Sequence, residues 1–332
     1  MAIVGHFASL SEAQKLVQSV LLQGVVQEVY EEGQLLRRLP VMTIDGRSVI
    51  YNREETLPSA AFYDIHEQIP WTADVAYTAQ VEVWLKRVAR QDILDKFMMK
   101  TYKNPNDYRS VILSALRKGC MRTIEDNLIY GTGATEAAKG FDGLNVLCPP
   151  TTTHNFGAGQ QDYDNGAGTT QLPVEVLIRL IEKCKPKPDI LLMPPGARVE
   201  IWKYSMGKAG AIVMGRQPNE FGTLIETVNG IPIVISDYLS GDEVDDTGVK
   251  SVAATGFGSV YAIRFGQIED GGFCLCTGGD TGGVDFFELT ELEALEDYDA
   301  GGIRLVAYCA PALGSTKAIS RIHSWHIASG VV

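Results

Sequence analysis

Residues 107–130 read DYRSVILSALRKGCMRTIEDNLIY, and the fold can be worked out from this stretch in both directions. Its apolar residues recur at intervals of three and four, which predicts a helix with one buried side. That side is predicted to contain Tyr108, Val111, Ile112, Ala115, Leu116, Gly119, Cys120 and Ile124. The opposite side carries most of the polar residues, namely Arg109, Arg117, Lys118, Arg122, Glu125 and Asp126. At 1.5 Å per residue the helix is roughly 36 Å long, so it can act as a rigid spine.

Glycines follow the helix directly. A phosphate-binding loop at Gly131-Thr132-Gly133 would need a strand before it and a helix after it. Here a helix precedes, so we interpret these residues as a helix-ending turn. The next passage, CPPTTTHNFGAGQQDYDNGAGTT, is rich in loop-forming residues and is a candidate domain boundary.

Beyond Leu172 the pattern is that of an α/β region, because helical and buried-strand patterns alternate. Helices are predicted from Pro173 to Cys184 and through Trp202 and Tyr204. Strands are predicted at 189–193, 230–236, 259–265, 272–276, 284–291 and 303–310, the last being the final long strand.

The residues before the spine helix follow a different pattern. A second helix is predicted from Gln91 to Lys103. Residues 41–84 predict an extended two-stranded arm, with a strand, a turn at Asp45-Gly46, another strand, and a returning strand near residues 80–86. A long hairpin without its own core is marginally stable alone, so the arm is expected to lie on another surface.

A further helix is predicted at residues 9–32. Ser9 and Glu12 have the spacing of a capping box, and Gly33 suits the helix end. The apolar stripe of this helix contains Leu10, Ala13, Leu16, Val17, Val20 and Leu21. Either the rest of the chain or a neighbouring molecule must cover that stripe.

Composition excludes several classes of protein. The chain of 332 residues is 45% hydrophobic and 21% charged, as in ordinary globular proteins. A net charge of −12 argues against a dedicated nucleic-acid binder, whose affinity would come from Lys and Arg. The sequence contains no long apolar run of the kind that crosses a bilayer and no secretory signal, which favours a protein that stays in the cytoplasm.

Candidate chemical motifs are weak. Cys120, Cys148, Cys184, Cys274, Cys276 and Cys309 are scattered, and we expect buried free thiols. The His323/His326 and Cys274/Cys276 pairs lack further ligands for zinc, and the loop at Asp162 departs from a calcium-binding loop. No nucleophile elbow and no catalytic histidine motif is found. The sequence therefore predicts no cofactor, no metal site and no enzymatic activity.

The order of these segments resembles the major capsid proteins of tailed double-stranded-DNA bacteriophages, whose fold is shared with encapsulins. The resemblance covers most of the chain and rests on a pattern of segments. Those segments are Tyr130–Gly133, Gly140–Asn145, Asp189–Pro194, Gly230–Asp237, Gly258–Ile263 and Ala307–Ala312. The resemblance implies an α+β fold with an N-terminal arm (1–40), an E-loop (41–84), a peripheral or P domain with the spine helix (85–150 and 285–332) and an α/β axial or A domain (151–284).

The resemblance also implies a function without catalysis. The chain is expected to self-assemble into hexamers and pentamers that form an icosahedral shell around the phage genome. Expected partners are other copies of the chain, a scaffolding protein, a portal and a decoration protein. The DNA is expected to be enclosed without sequence-specific binding, and the acidic surface is expected to repel it. The location would be the virion capsid, assembled in the host cytoplasm.

Two departures from the family pattern matter. The arm starts at once, so we expect no cleaved scaffolding-like segment of the kind found in some relatives. Other relatives join subunits by a Lys–Asn isopeptide bond from the E-loop, but no lysine lies between Lys15 and Lys86. We therefore expect a shell without that crosslink.

Interface residues are expected in three places. These are Leu16, Val20 and Leu21 in the arm, Phe62, Tyr63, Ile69 and Trp71 in the E-loop, and Met214 and Arg216 near the centre of a capsomer. The E-loop residues are chosen because exposed aromatic and apolar side chains anchor interfaces. Each could instead belong to the core of its own chain. An encapsulin-type compartment around an enzyme cargo is the alternative function, and an α/β enzyme is a third.

Overall fold

The computed structural model describes residues 34–56, 60–69, 76–77, 80–101, 108–133, 135–149, 153–155, 173–207, 214–218, 224–239, 243, 250, 257–278, 286–292 and 299–326. These residues form several sheets and a few helices, which confirms the predicted α+β class. The predicted helix at 9–32 lies outside the described residues.

Helices and strands are numbered in chain order. The helices are α1 (Lys96–Thr101), α2 (Tyr108–Tyr130), α3 (Leu144–Leu147), α4 (Pro173–Lys183) and α5 (Pro195–Gly207). The strands are β1 (Val41–Ile44), β2 (Ser48–Tyr51), β3 (Glu54–Thr56), β4 (Ala76–Tyr77), β5 (Val81–Trp84), β6 (Lys86–Asp95), β7 (Thr153–Asn155), β8 (Ile190–Met193), β9 (Met214–Pro218), β10 (Leu224–Val228), β11 (Ile231–Ile235), β12 (Phe257–Ile263), β13 (Phe273–Gly278), β14 (Glu288–Leu292), β15 (Ala300–Leu313) and β16 (Ile319–His326).

A five-stranded sheet is built around the long strand β15. One edge of β15 pairs with β6 over ten positions, from Ala300↔Asp95 to Cys309↔Lys86. Its other edge pairs with β14 and then with β13. β1 completes the sheet by pairing in parallel with β13.

A seven-stranded mixed sheet has the order β7-β16-β12-β8-β11-β10-β9. Its central strand β8 is buried at every position, which agrees with the continuous apolar run that predicted it. α4 and α5 begin at Pro173 and Pro195, and proline suits the first position of a helix. The first of these helices extends to Lys183, as predicted to within one residue.

One hydrophobic cluster joins both sheets to the spine helix. It includes Ile124 and Leu128 of α2, Leu192 of β8 and Leu313 of β15. All six cysteines are buried free thiols, as predicted. Three further clusters of buried residues lie in the described part of the chain, and the largest of them packs α4 and α5 against the seven-stranded sheet.

The spine helix is present, but its predicted faces need correction. Leu116, Cys120 and Ile124 are buried as expected. Ala115 and Gly119, predicted to be buried, are exposed. Glu125, predicted on the polar side, is 3% exposed because residues 34–39 cover the end of the helix. Its carboxylate accepts the backbone N–H groups of Leu35 (2.8 Å) and Leu36 (3.4 Å).

Close packing explains the glycines that follow α2. Modelling a Cβ on Gly131 would place it 2.4 Å from the carbonyl oxygens of Asn127 and Phe141. A Cβ on Gly143 would lie 2.5 Å from the Asn127 oxygen. The two glycines are joined by a backbone hydrogen bond of 2.9 Å. The helix-ending turn is confirmed, and it returns the chain tightly against the last helical turn.

Two sequence predictions about strands were wrong. Gln91–Asp95 is strand and not helix, because pairing with β15 outweighs the helical spacing of its apolar residues. β16 was missed, and it follows the strand that was predicted to be the last long one. The predicted turn at Gly46 (φ 125°) is present, and the strands on either side of it pair with different partners, since β1 joins β13 and β2 joins β5.

Candidate assembly surface

The extended arm consists of two short antiparallel ladders. β2 pairs with β5 in the register Ser48↔Trp84 to Tyr51↔Val81, and β3 pairs with β4 further out. Residues 60–69 lie in the segment that connects β3 to β4, and we call them the arm turn. The arm thus leaves the body at one end and carries the arm turn at the other.

The arm turn exposes its apolar side chains. Phe62 is 107% exposed, Ile65 84% and Ile69 63%, and Tyr63 is also exposed. Large apolar side chains in water are common singly, but four of them within the ten residues of the arm turn form an exposed apolar group. This exposure makes the arm turn a candidate contact surface.

The arm turn keeps its shape through its own polar groups. The Asp64 N–H donates to the Glu67 carboxylate (2.8 Å), and the Glu67 N–H donates back to the Asp64 carbonyl (3.1 Å). The Ile65 N–H donates to the Asp64 side chain (2.8 Å), and His66 adopts φ 72°. These local bonds form a compact turn from which the apolar side chains project into solvent.

The base of the arm is fixed to the body. The Tyr51 hydroxyl donates to the carbonyl of Leu313 (2.6 Å), and the Arg53 guanidinium donates to the carbonyl of Gly314 (3.0 Å). Burial raises the pKa of Tyr51, with the nearby Arg53 opposing that effect. On the other side of the ladder Arg47 lies 5.2 Å from the ring centre of Trp84 and forms an ion pair with Glu136.

Lys86 provides a second, buried attachment. It is 7% exposed, and its ammonium donates to the backbone carbonyls of Thr135 (2.7 Å), Glu136 (3.1 Å) and Ala138 (2.8 Å). Lys86 begins β6 directly after the arm, while residues 135–138 follow α2. The three bonds therefore tie the exit of the arm to the end of the spine helix.

A buried polar network includes Tyr130, the last residue of α2. The carboxylate of Glu243 accepts bonds from the hydroxyls of Tyr130 (2.7 Å) and Ser259, and it lies 3.5 Å from the Arg321 guanidinium. Arg321 also donates to Ser259 (2.9 Å) and to the side chain of Asn145. Burial raises the pKa of Glu243, and Arg321 opposes this. The Glu243 carboxylate and the Arg321 guanidinium balance each other, and hydroxyl donors complete the contacts of the carboxylate, so the arrangement is that of a structural network.

The described residues contain little that could support chemistry on a small molecule. A cleft of about 160 Å³ lies between the arm base and the body, beside Tyr51, Trp84, Phe141 and Pro311. Within the described ranges no group of three or more His, Cys, Asp or Glu could hold a metal ion. None of the described helices is long and apolar enough to cross a membrane.

The predicted interface residues fall into three groups. Phe62, Tyr63 and Ile69 are exposed in the arm turn. Met214 and Arg216 lie in β9, opposite Val228 and Glu226 of β10, and their side chains are not described. The remaining four, Leu16, Val20, Leu21 and Trp71, lie outside the described residues.

Sequence reasoning overlooked several exposed apolar residues, and the two most exposed of them are Ile65 and Phe97. Ile65 lies beside Phe62 in the arm turn, and Phe97 at the start of α1 is 63% exposed. The choice of aromatics passed over Ile65 although it belongs to the same segment. Phe97 was assigned to a helix that in fact begins only at Lys96, so its position at the helix start was not foreseen. The interface role of all these residues stays a prediction.

The chain was compared with protein families, with curated sequences and with solved structures. No protein-family model and no curated protein sequence matches the chain. Among solved structures, the holo-SrpI encapsulin complex from Synechococcus elongatus PCC 7942 is similar, with a TM-score of 0.67, 16% identity and coverage of 98% of both chains. The capsid of an empty GTA particle gives a TM-score of 0.63 with 12% identity, covering 94% of this chain and 97% of the other.

A third similar structure is the capsid of the cyanophage P-SCSP1u, with a TM-score of 0.56, 12% identity and coverage of 94% of each chain. These structures are two capsids and an encapsulin. At such low identity they show the fold alone. The chain has the shell-protein fold common to tailed-phage capsids and encapsulins, as its sequence pattern indicated.

Proposed function

We propose that this chain is the major capsid protein of a tailed double-stranded-DNA phage, which assembles into hexamers and pentamers of an icosahedral head. The observation that carries the proposal is the arm turn, whose apolar side chains are exposed at the tip of an anchored arm. The shell-protein fold supports the same conclusion.

The attachment of the arm supports a role in assembly. Its base is held by Tyr51, Arg53 and Lys86, while its tip presents Phe62 and Ile65. Burying exposed apolar area stabilises by about 25 cal/mol per Å², so covering the tip on a neighbouring subunit favours association. Because the base is fixed to the body, the exposed apolar side chains of the arm turn would contact a neighbouring subunit at a defined position.

The interface residues in this proposal are those predicted above. Phe62, Tyr63, Ile69 and Trp71 of the E-loop would contact a neighbouring subunit, as would Leu16, Val20 and Leu21 of the N-terminal arm. Met214 and Arg216 of β9 would lie near the centre of a capsomer. The division into arm, E-loop, P domain and A domain belongs to the same proposal, although β16 (within 285–332) pairs in the sheet that contains β8 and β12.

The partners follow from the function. A scaffolding protein would guide assembly, a portal would occupy one vertex, and a decoration protein could stabilise the mature shell. The genome would be enclosed without sequence-specific contacts, in a virion assembled in the host cytoplasm. No cofactor is required. Subunits would be held without an E-loop lysine crosslink, so boiled and reduced particles are expected to run as a single monomer band on a denaturing gel.

Electron microscopy of the purified chain, with its mass measured by light scattering, tests the proposal. We expect closed shells, or hexamers and pentamers, when the chain is expressed alone or with its scaffolding protein. Particles from infected cells should contain this chain as the main protein and double-stranded DNA inside. A chain that stays monomeric under both conditions would contradict the proposal.

The encapsulin-type alternative shares the fold, and the holo-SrpI structure is a specific reason to keep it. The contents of the particles distinguish the two functions. Mass spectrometry of purified shells would find a co-packaged enzyme in an encapsulin and a nuclease-protected genome in a phage head.

A further inference from the structure

Strands β6 and β14 form two outer edges of the sheet built around β15. Within the described ranges, β15 is the one strand that pairs with either of them. In β6 the residues at 87 and at 89–92 are exposed, and in β14 every residue except Thr290 is exposed. The edge of a sheet presents backbone N–H and C=O groups to which a further strand can add. Each of the two edges is therefore a candidate contact surface.

The two edges carry opposite charges. β6 contains the exposed Arg87 and Arg90 ahead of its first acidic residue, Asp92. β14 contains Glu288 and Glu291 and no basic residue. In both strands the two charges are three positions apart, so each strand has one charge on each face of the sheet. The edges thus match each other in the sign and in the spacing of their charges.

The directions of the two strands are also compatible. β6 and β14 are each antiparallel to β15, so they run parallel to one another. When copies of the chain stand side by side in the same orientation, β6 of one copy meets β14 of the next in parallel. Val306 pairs with both Ala89 and Glu288, so those two side chains lie on one face, and Arg87 shares that face with Ala89. A parallel ladder with Glu288 opposite Arg87 therefore keeps α2 on the same side of both sheets.

One register of this ladder satisfies both pairs of charges. It aligns Glu288–Leu292 with Arg87–Gln91 of the next copy, so that each glutamate lies opposite an arginine. A shift by two residues in either direction separates both pairs, and in one direction it sets Glu291 against Asp92. Glu291 already forms an ion pair with Arg109 of its own chain, and the arginine of the next copy would join that pair.

We propose that β6 of one copy of this chain pairs in parallel with β14 of the next copy, which joins their sheets edge to edge. The proposal rests on the proposed function, in which copies form hexamers and pentamers. The contact joins two different surfaces, and such a contact closes into a ring when it is repeated around an axis. It also brings Leu289, which is 42% exposed, against Val88 of the next copy. The occupant of each edge is a second copy because the complementary charges lie on the same chain.

Disulfide trapping in assembled particles of the full-length A89C/T290C variant tests this. In the proposed register Thr290 lies opposite Ala89 of the next copy, about 4.8 Å away, which suits a disulfide. Within one chain β15 separates the two residues, by about 10 Å or more, which is too far for a disulfide. After oxidation with copper phenanthroline, a non-reducing gel should show a ladder from dimers up to the size of the ring. Reduction should return the ladder to monomer, and the native cysteines are buried.

Matched cysteine variants make the result specific. Ala89→Cys alone and Thr290→Cys alone should stay monomeric on the gel. An equal mixture of the two, combined before assembly, should stop at dimers, because each protein then has one reactive edge. A89C/L292C places the second cysteine two residues out of register and should give at least about tenfold less ladder.

Charge reversal tests the register itself. In the A89C/T290C protein, R87E and E288R should each lower the yield of ladder at least about threefold, because each sets two like charges against each other. Combining R87E with E288R should restore the yield to within about twofold of the parent. R117E makes the same charge change at an exposed position of α2 and should alter the yield by less than about twofold. A ladder that R87E and E288R leave unchanged would reject the proposed pairing.

Electron microscopy of the same samples separates this proposal from the proposed function. Particles that assemble normally but give no ladder with A89C/T290C would reject the edge-to-edge contact and leave the assembly function intact. A disulfide in the Ala89→Cys protein alone would indicate a symmetric contact between two β6 strands and overturn the proposal. A wild-type chain that does not assemble would contradict both. Circular dichroism verifies folding, and the mixed single variants replace a double variant that misfolds.

Discussion

Two phenylalanines show how differently two regions of the molecule are stabilised. Phe273 of β13 is fully buried in the cluster that joins both sheets to the spine helix. Phe62 of the arm turn is fully exposed. Among the described residues, the same side chain is covered by its own chain in one region and left in solvent in the other. The body therefore buries its own apolar residues, and in the proposed function a neighbouring subunit covers the arm turn.

Because of this difference, we expect substitutions in the two regions to affect different properties. Substitutions in the body should change the free energy of unfolding of the isolated subunit. Substitutions in the arm turn should leave that free energy unchanged and act on assembly. The following experiments test that separation, in order of their expected effect on the subunit.

The largest effect is expected for Phe273→Ala. Removing a fully buried phenyl ring leaves a cavity, and such changes cost about 3–5 kcal/mol. Urea unfolding of the full-length subunit should show a much lower midpoint at an unchanged slope. A loss below about 1 kcal/mol would contradict the assignment of Phe273 to the shared core.

Lys86→Met is expected to have the next largest effect. The substitution keeps most of the apolar stem but leaves the carbonyls of Thr135, Glu136 and Ala138 without their donor. We expect a loss of about 1–3 kcal/mol in the unfolding free energy. Lys100→Met, at an exposed position of α1, is the control and should stay within about 0.5 kcal/mol.

A smaller effect should appear as pH dependence at Glu125. Burial raises the pKa of this carboxyl, and the N–H bonds from Leu35 and Leu36 oppose the shift only in part. A raised pKa in the folded state means that folding favours the proton. The stability contribution is then full below the ordinary pKa near 4.5 and is lost as pH rises through the folded value.

Glu125→Gln removes that titration, so its unfolding midpoint should fall less than that of the wild type as pH is raised from about 4 to 8. Glu182→Gln, at an exposed position of α4, should follow the wild-type profile. Parallel profiles for Glu125→Gln and the wild type would show that Glu125 is not the group responsible.

Phe62→Ala should have the smallest effect on the subunit and a large one on assembly. Because the ring is fully exposed, the unfolding free energy should change by less than about 0.5 kcal/mol. Shell yield, measured by light scattering and electron microscopy, should fall clearly, and Ile65→Ala should behave in the same way. Normal shells from a Phe62→Ala/Ile65→Ala protein would remove the arm turn from the proposed interface.

The sequence predicted those elements that are determined locally. The spine helix, α4 and β8 have strong apolar periodicity or begin at proline, and each lies where it was expected. The overall shell-protein fold was also predictable, because it rests on the order of many segments and not on one motif.

Elements determined by distant partners were not predictable. β16 carries Ser320, Arg321 and Ser324, which interrupt the apolar pattern and are buried only because Ser259 and other residues bind them. Gln91–Asp95 becomes strand through pairing with β15, more than two hundred positions away in the chain. Glu125 and Lys86 look like surface residues until the segments that cover them are known.

The candidate surface was predictable only where it depends on residues that are close together in the sequence. The apolar and aromatic content of residues 60–69 led us to predict an interface there; Phe62, Tyr63 and Ile69 are exposed, and their interface role stays a prediction. The anchors at the arm base could not be foreseen, since Tyr51 and Arg53 bind carbonyls at the far end of the chain. The polar network around Glu243 likewise depends on contacts between five segments, which contribute Tyr130, Asn145, Glu243, Ser259 and Arg321.

The burial of all six cysteines has a practical consequence for particle chemistry. Thiol-specific reagents react with accessible thiolates, and burial raises the pKa of Cys184 and Cys309 to about 12. The folded protein is therefore expected to react only slowly with maleimides. A cysteine introduced at Ala61, beside Phe62 in the exposed arm turn, would be labelled selectively, so one fluorophore per subunit could report subunit joining in real time.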